Sequence, residues 1–247
     1  MPDISTRVYG DRARIGLVVP STNTVAETEF WRLAPKGVSV HTSRMPFFPD
    51  VNDEPFAVME EAVPRVLEEA VSADPSVIAY GCTASSAVGN ALDKQQKLQE
   101  MTNRETVTAA GALLAALRHL NVTRVVLVTP YPQYINDKER VFFAANGIEV
   151  IADESVIVSP AQQELKEMYK VPTDELQARA IALGQREDAE AVVLSCCDMP
   201  TLDAIDNIET ALGKPVISSV SALFWQALEA ARLDTRPGEG GRLLREG

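Results

Sequence analysis

The sequence predicts an α/β protein of two similar lobes with parallel sheets. Two observations carry that prediction: short apolar runs alternate with segments of helical period, and the second half of the chain repeats landmarks of the first. Apolar β-type runs fall at 14–19, 38–42, 76–80, 124–129, 149–153, 190–194 and 215–218, and helical-period segments include 54–73, 106–120, 137–146, 173–186 and 221–233. Strands that are apolar throughout, rather than on alternate residues, suit parallel sheets covered on both faces. The repeat is visible in three ordered matches. Arg14-Ile-Gly-Leu-Val-Val-Pro20 matches Arg124-Val-Val-Leu-Val-Thr-Pro130, and Asp74-Pro-Ser-Val-Ile-Ala-Tyr-Gly-Cys82 matches Asp188-Ala-Glu-Ala-Val-Val-Leu-Ser-Cys196. Gly111-Ala-Leu and Ser221-Ala-Leu then open similar helices. The expectation is two Rossmann-like lobes related by a pseudo-twofold axis, with equivalent strand ends facing each other across a cleft. The first lobe is placed at 1–107 plus 216–247 and the second at 108–215, because helix 221–233 is expected to pack back on the first lobe. The tail from 234 onward, rich in Gly, Arg and Glu, reads as frayed.

Composition narrows the function. Apolar residues make up 46% of the 247 and charged residues 23%, an ordinary globular balance. A formal net charge of −12 argues against nucleic acid or an anionic membrane as partner, since both require clustered Lys and Arg. The first thirty residues hold charges at Asp3, Arg7, Asp11, Arg12 and Arg14 and no long apolar run, so a cytoplasmic location without signal peptide or membrane span is expected. Three cysteines, two of them adjacent, and no CxxC suggest neither a disulfide framework nor a zinc cluster. The two histidines, His41 and His119, form no ligand pair. There is no GxGxxG after the first strand, no GxxxxGK[ST] and no GxSxG, so no cofactor is expected and a serine hydrolase is disfavoured.

Cys82 and Cys196 close equivalent strands of the repeat, where ligands of parallel α/β sheets bind. A thiolate serves as base or nucleophile and a thiol as acid, and a helix N-terminus beside each cysteine is expected to lower its pKa. Cys197, without a counterpart in the repeat, reads as a small buried hydrophobe. After the first strand of each half, Asn23 and Tyr131 offer neutral donors for a carboxylate; for Asn23, helix capping near Ala26 is an equal alternative, and Asn136 or Asp137 reads as the cap of the next helix.

The segments Gly16-Leu-Val-Val-Pro-Ser-Thr-Asn-Thr24, Gly81-Cys-Thr83, Thr129-Pro-Tyr131 and Ser195-Cys-Cys-Asp-Met-Pro200 resemble the maleate cis-trans isomerases of the aspartate/glutamate racemase superfamily, with arylmalonate decarboxylases as close cousins. The resemblance implies a cofactor-independent isomerase of a maleate-like dicarboxylate, working as a homodimer. Cys82 would be the nucleophile and Cys196 the second cysteine. Asn23, Tyr131 and backbone N–H groups near Thr83 and Cys197 would bind carboxylate. The isomerases carry a further substrate-binding asparagine, for which Gln163 or Gln162 is the replacement here. The decarboxylases carry glycine where Cys82 stands. Racemisation of an amino acid or hydantoin, decarboxylation, and simple capture of a small acid are the rival functions.

Overall fold

The computed structural model describes residues 8–50, 54–234 and 237–246. Strands β1 (Ala13–Pro20), β2 (Val38–Met45), β3 (Val77–Tyr80) and β4 (Glu105–Thr108) form one parallel sheet in the order β2-β1-β3-β4. Strands β5 (Arg124–Thr129), β6 (Glu149–Ser155), β7 (Ala191–Leu194) and β8 (Val216–Ser218) form a second in the order β6-β5-β7-β8. Strand for strand, the second sheet repeats the first. Cys82 follows β3, just ahead of the one-turn helix α3 (Thr83–Ser86), and Cys196 follows the equivalent β7.

Both faces of each sheet are buried, which accounts for the unbroken apolar runs. In β5, Val125 and Leu127 point into one core while Val126 and Val128 point into another; in β7, Ala191 and Val193 oppose Val192 and Leu194 in the same way. The shared core unites the inner faces of both sheets through helices α5 (Ala109–His119) and α9 (Ser219–Ala230), which pack against each other. These helices begin alike: the Thr108 hydroxyl accepts from Gly111 N–H at 3.2 Å and the Ser218 hydroxyl from Ser221 N–H at 3.0 Å. Helix α9 also contacts β3, β4 and α1 (Ala26–Leu33), where Phe224 meets Phe30 edge-on at 5.1 Å. The outer face of the first sheet is covered by α2 (Pro55–Ser72) and α4 (Ala91–Thr102), that of the second by α7 (Thr173–Gly184) and α8 (Leu202–Leu212). No helix among the described residues is long and apolar enough to cross a membrane.

Several sequence expectations need correction. The segment expected to open a helix at 106 instead completes β4 before α5 starts at Ala109, because Val77 to Tyr80 offer it a parallel partner. Strand β8 pairs with β7, so 216–218 belongs with the second sheet rather than with the first lobe. Helix α6 (Gln133–Ala145) starts four residues ahead of 137, directly after Pro132; Asn136 therefore lies inside it, fully buried, bonded to Thr129 and Ser155, and caps nothing.

The tail is not frayed where it is described. Gly240 and Gly241 turn the chain at φ of +93° and +89°, and Cβ atoms there would collide with Leu244 and Ile205. The turn docks α10 (Arg242–Glu246) on α8: Gly241 N–H donates to Asp206, Arg242 N–H to Glu209, and Leu243 and Leu244 are each 1% exposed. Leu243→Ala should therefore destabilise the protein by about 2–4 kcal/mol in urea unfolding. An unchanged midpoint would mean that the tail adds nothing to the fold.

Candidate functional site

The carboxyl ends of β1, β3, β5 and β7 converge on one cleft, lined by Asn23, Cys82, Thr83, Tyr131, Cys196 and Cys197 among others. Its cavity volume of about 60 Å³ marks it as a small cleft. All three thiols are free and buried.

Contacts between the halves shape the cleft. Asn23 Oδ1 accepts from Val25 and Ala26 N–H, at 3.1 and 3.0 Å, while its Nδ2 donates across the cleft to the Cys197 carbonyl at 2.9 Å. Capping thus occupies the carbonyl end of Asn23, and one N–H of the amide stays in reserve beside the cleft. Thr24 N–H donates to Asp198 at 2.8 Å. The buried Glu29 carboxylate reaches from α1 to the N-terminus of α8, accepting from Thr201 N–H at 2.7 Å, Leu202 N–H at 2.9 Å and the Thr201 hydroxyl at 3.2 Å. Arg44 holds the 21–23 turn through the Ser21 and Asn23 carbonyls and pairs with Glu27. Ser21 exchanges hydrogen bonds with Phe47 and so fixes one apolar wall.

Burial dominates the electrostatics. It pushes the Cys196 thiol well above the ordinary range, and the Asp198 carboxylate adds to this against the Tyr131 hydroxyl and the Asp198 N–H, which donates to the sulfur at 3.3 Å. Burial also raises Cys82, opposed by the Ser85 hydroxyl and N–H and by the Lys94 charge. The downward shift expected from helix N-termini is therefore overturned: desolvation outweighs the donors at both thiols. Cys197 is raised too, chiefly by burial, and its sulfur lies 3.5 Å from the Thr83 hydroxyl, which in turn donates to Ser219 at 2.9 Å. Tyr131, pushed well up by burial and by neighbouring Cys196, Glu139 and Cys82, stays a phenol.

Gln163 departs from expectation. It is exposed and does not line the cleft, and the buried Gln162 spends its amide on Val156, Val158 and Ser159 in the turn Pro160–Glu164. Leu165 and Met168 line the cleft from this segment instead, and with Phe47 and Phe56 they make that side apolar. The sequence reading also gave no role to Asp198, although it stands in the Ser-Cys-Cys-Asp motif. It is raised to about 7 by burial, opposed by Thr24 and Val25 N–H groups and by Arg44.

Glu139 on α6 was likewise passed over. It is 1% exposed and neither of its oxygens makes a hydrogen bond of good geometry, nor does Ser195 Oγ beside it. Burial pushes Glu139 up to about 8, with the Ser195 hydroxyl opposing. The folded protein thus keeps a proton that the unfolded chain releases near the ordinary carboxylate pKa, so stability is fully present below that value and falls as pH rises towards about 8. Glu139→Gln should remove this slope. Its stability loss between about pH 5 and about pH 8 should be smaller than the parent's by on the order of 3 kcal/mol in chemical denaturation, and parallel curves would overturn the account.

Two like-ordered parallel sheets, each delivering one thiol to a common small cleft, define a paired-cysteine α/β protein. The chain belongs to the arylmalonate decarboxylase family, whose model matches residues 15–244. It is 31% identical to a maleate isomerase of Nocardia farcinica over 94% of this chain and 96% of that one. Among solved structures, a maleate isomerase variant from Pseudomonas putida S16 with maleate superposes with a TM-score of 0.85 at 30% identity, covering 94% and 96% of the two chains. A cysteine-to-serine variant of the Nocardia farcinica maleate cis-trans isomerase, with a covalently bound succinylcysteine intermediate, matches with a TM-score of 0.85 at 30% identity over 95% and 98%. These likenesses bear out the resemblance read from the four sequence motifs and the two-sheet fold expected from the repeat.

Proposed function

We propose that this protein is a cofactor-independent cis-trans isomerase of maleate or a maleate-like dicarboxylate, with Cys82 as nucleophile and Cys196 as acid and base. The observation that carries the reading is the pair of buried thiols at equivalent strand ends on one small cleft, with unequal surroundings. Burial raises both, Cys196 markedly: at Cys82 the Ser85 donors and the Lys94 charge work against burial ahead of the opposing Glu60 charge, whereas at Cys196 the Asp198 charge comes ahead of its donors.

In the reaction, the Cys82 thiolate adds to one alkene carbon, forming a C–S bond and leaving a single bond between the two central carbons. Cys196 gives its proton to the adjacent carbon, which yields a succinyl thioether. Rotation about the single bond follows. Cys196 then takes the proton back, the C–S bond breaks, and the trans alkene leaves with the Cys82 thiolate restored. The succinylcysteine of the Nocardia farcinica relative is a thioether of this kind. Asn23, through its remaining N–H, the Tyr131 phenol and the backbone N–H groups of Thr83 and Cys197 orient the carboxylates. The apolar wall of Phe47, Phe56, Leu165 and Met168 favours a dicarboxylate with an apolar substituent, and with the family assignment it is what speaks for decarboxylation as the second reading. Retention of Cys82 speaks against it. The reading also takes the protein to be cytoplasmic and homodimeric, with the second copy as its only macromolecular partner.

Proton NMR in deuterated buffer tests the reaction. The parent should convert maleate to fumarate, and Cys82→Ser should lose at least about 100-fold of that rate. Cys196→Ser should lose turnover while accumulating an adduct on Cys82 that intact-mass measurement detects. Full activity of Cys82→Ser sinks the isomerase reading, and release of carbon dioxide from an arylmalonate would install the decarboxylase in its place.

A further inference from the structure

Behind Cys82, on the side away from the cleft, lies a second cavity of about 540 Å³, lined by Glu60, Ser85, Lys94, Lys97 and Lys138. Phe56 and Ala84 border both spaces and form the partition. A row of hydrogen-bonded polar groups leads from beside Cys82 to the second cavity. Ser85 stands one helical turn beyond Cys82, and its hydroxyl and N–H favour the Cys82 thiolate. Ser85 Oγ lies 3.0 Å from the Tyr80 hydroxyl, and the Tyr80 hydroxyl donates to Glu60 Oε1 at 3.1 Å. Lys94 ties the far end together: its Nζ lies 2.5 Å from Glu60, 2.9 Å from the Ser85 carbonyl and 3.4 Å from the Tyr80 hydroxyl, and sits 4.7 Å from the Tyr80 ring centroid. Tyr80 is fully buried, whereas the Glu60 side chain is 42% exposed. The row therefore begins at Ser85, beside a buried thiol, and ends at a half-exposed carboxylate.

We propose that Ser85, Tyr80, Glu60 and Lys94 are positioning residues that carry the Cys82 proton to the second cavity and then hold the thiolate. The inference rests on Cys82 being the nucleophile. While Cys82 is a thiol, its S–H points to Ser85, the Ser85 O–H to Tyr80 and the Tyr80 O–H to Glu60. When the S–H bond breaks, each oxygen takes the proton from the cleft side and releases its own to the next, and Glu60 receives one and passes it to water. Both hydroxyls are left pointing back towards the sulfur, so the same row that removed the proton now donates to the anion. The Lys94 charge, close to Ser85 and Tyr80, favours that second arrangement, and the Glu60 charge opposes it. Across the cleft stand the Tyr131 phenol and the Cys196 and Cys197 thiols, with the Asp198 carboxyl on the same lining.

Iodoacetamide labelling across a pH series, read at the Cys82 peptide by mass spectrometry, tests this, with the Cys196 and Cys197 peptides as internal controls of folding. Tyr80→Phe and Lys94→Met should each move the Cys82 profile to higher pH, slowing its labelling about tenfold near neutrality. Glu60→Gln should move it to lower pH, because the amide keeps the shape and removes the charge. Packing damage alone produces no such opposition of sign. Any other pattern at Cys82, whether unmoved profiles in Tyr80→Phe and Lys94→Met or Glu60→Gln shifting in the same sense as Lys94→Met, overturns the proposal. Labelling needs no turnover, so failure of the isomerase reading and failure of this one are read separately.

Discussion

The buried carboxylate of Glu29 is the contact on which the site most depends. It originates on α1, in the first half of the chain, yet it caps the N-terminus of α8 in the second, accepting two backbone N–H groups and a hydroxyl. Burial raises the Glu29 pKa, and those donors and the helix dipole offset only part of the water it lost. Residues 196–201, which carry Cys196, Cys197 and Asp198, are thereby fastened at their far end to the opposite half, and Asn23 and Thr24 fasten the near end. The cleft is the space left between segments drawn together in this way.

Burial then sets the chemistry. Removing water raises both thiols, the tyrosine and two carboxylates together, so below about pH 7, where Asp198 ionises, the resting cleft carries little formal charge despite a strongly acidic chain. What distinguishes Cys82 from Cys196 is the second layer: hydroxyls and a lysine behind one, a carboxylate beside the other. An anionic substrate can enter such a site without opposing a fixed negative charge.

The fold was largely legible because its signal is local and repeated. Two-sided burial makes β1, β3, β5 and β7 apolar throughout, and duplication of the unit supplies an internal comparison that marks Cys82 and Cys196 as equivalent. Strand β4 was missed because its Glu-Thr-Val-Thr run is short and leads directly into α5, so only its pairing with β3 separates strand from helix. The tail was misread because glycines and several charges look like fraying until the acidic face of α8 is present to receive them. Gln163 faces outward because the five-residue turn Pro160–Glu164 buries Gln162 instead, and nothing in the local sequence encodes that rotation.

The sequence by itself determined the alternation of strands and helices, the duplication, and the identity of the two cysteines at equivalent strand ends, since these follow from periodicity and spacing along one chain. Only the tertiary structure decided which way the thiol pKa values move, which residues of the opposite half complete each other's caps, and that Tyr80, Glu60 and Lys94 stand behind Cys82. Those properties depend on how much water is excluded and on which side chains, distant in sequence, meet within hydrogen-bonding distance.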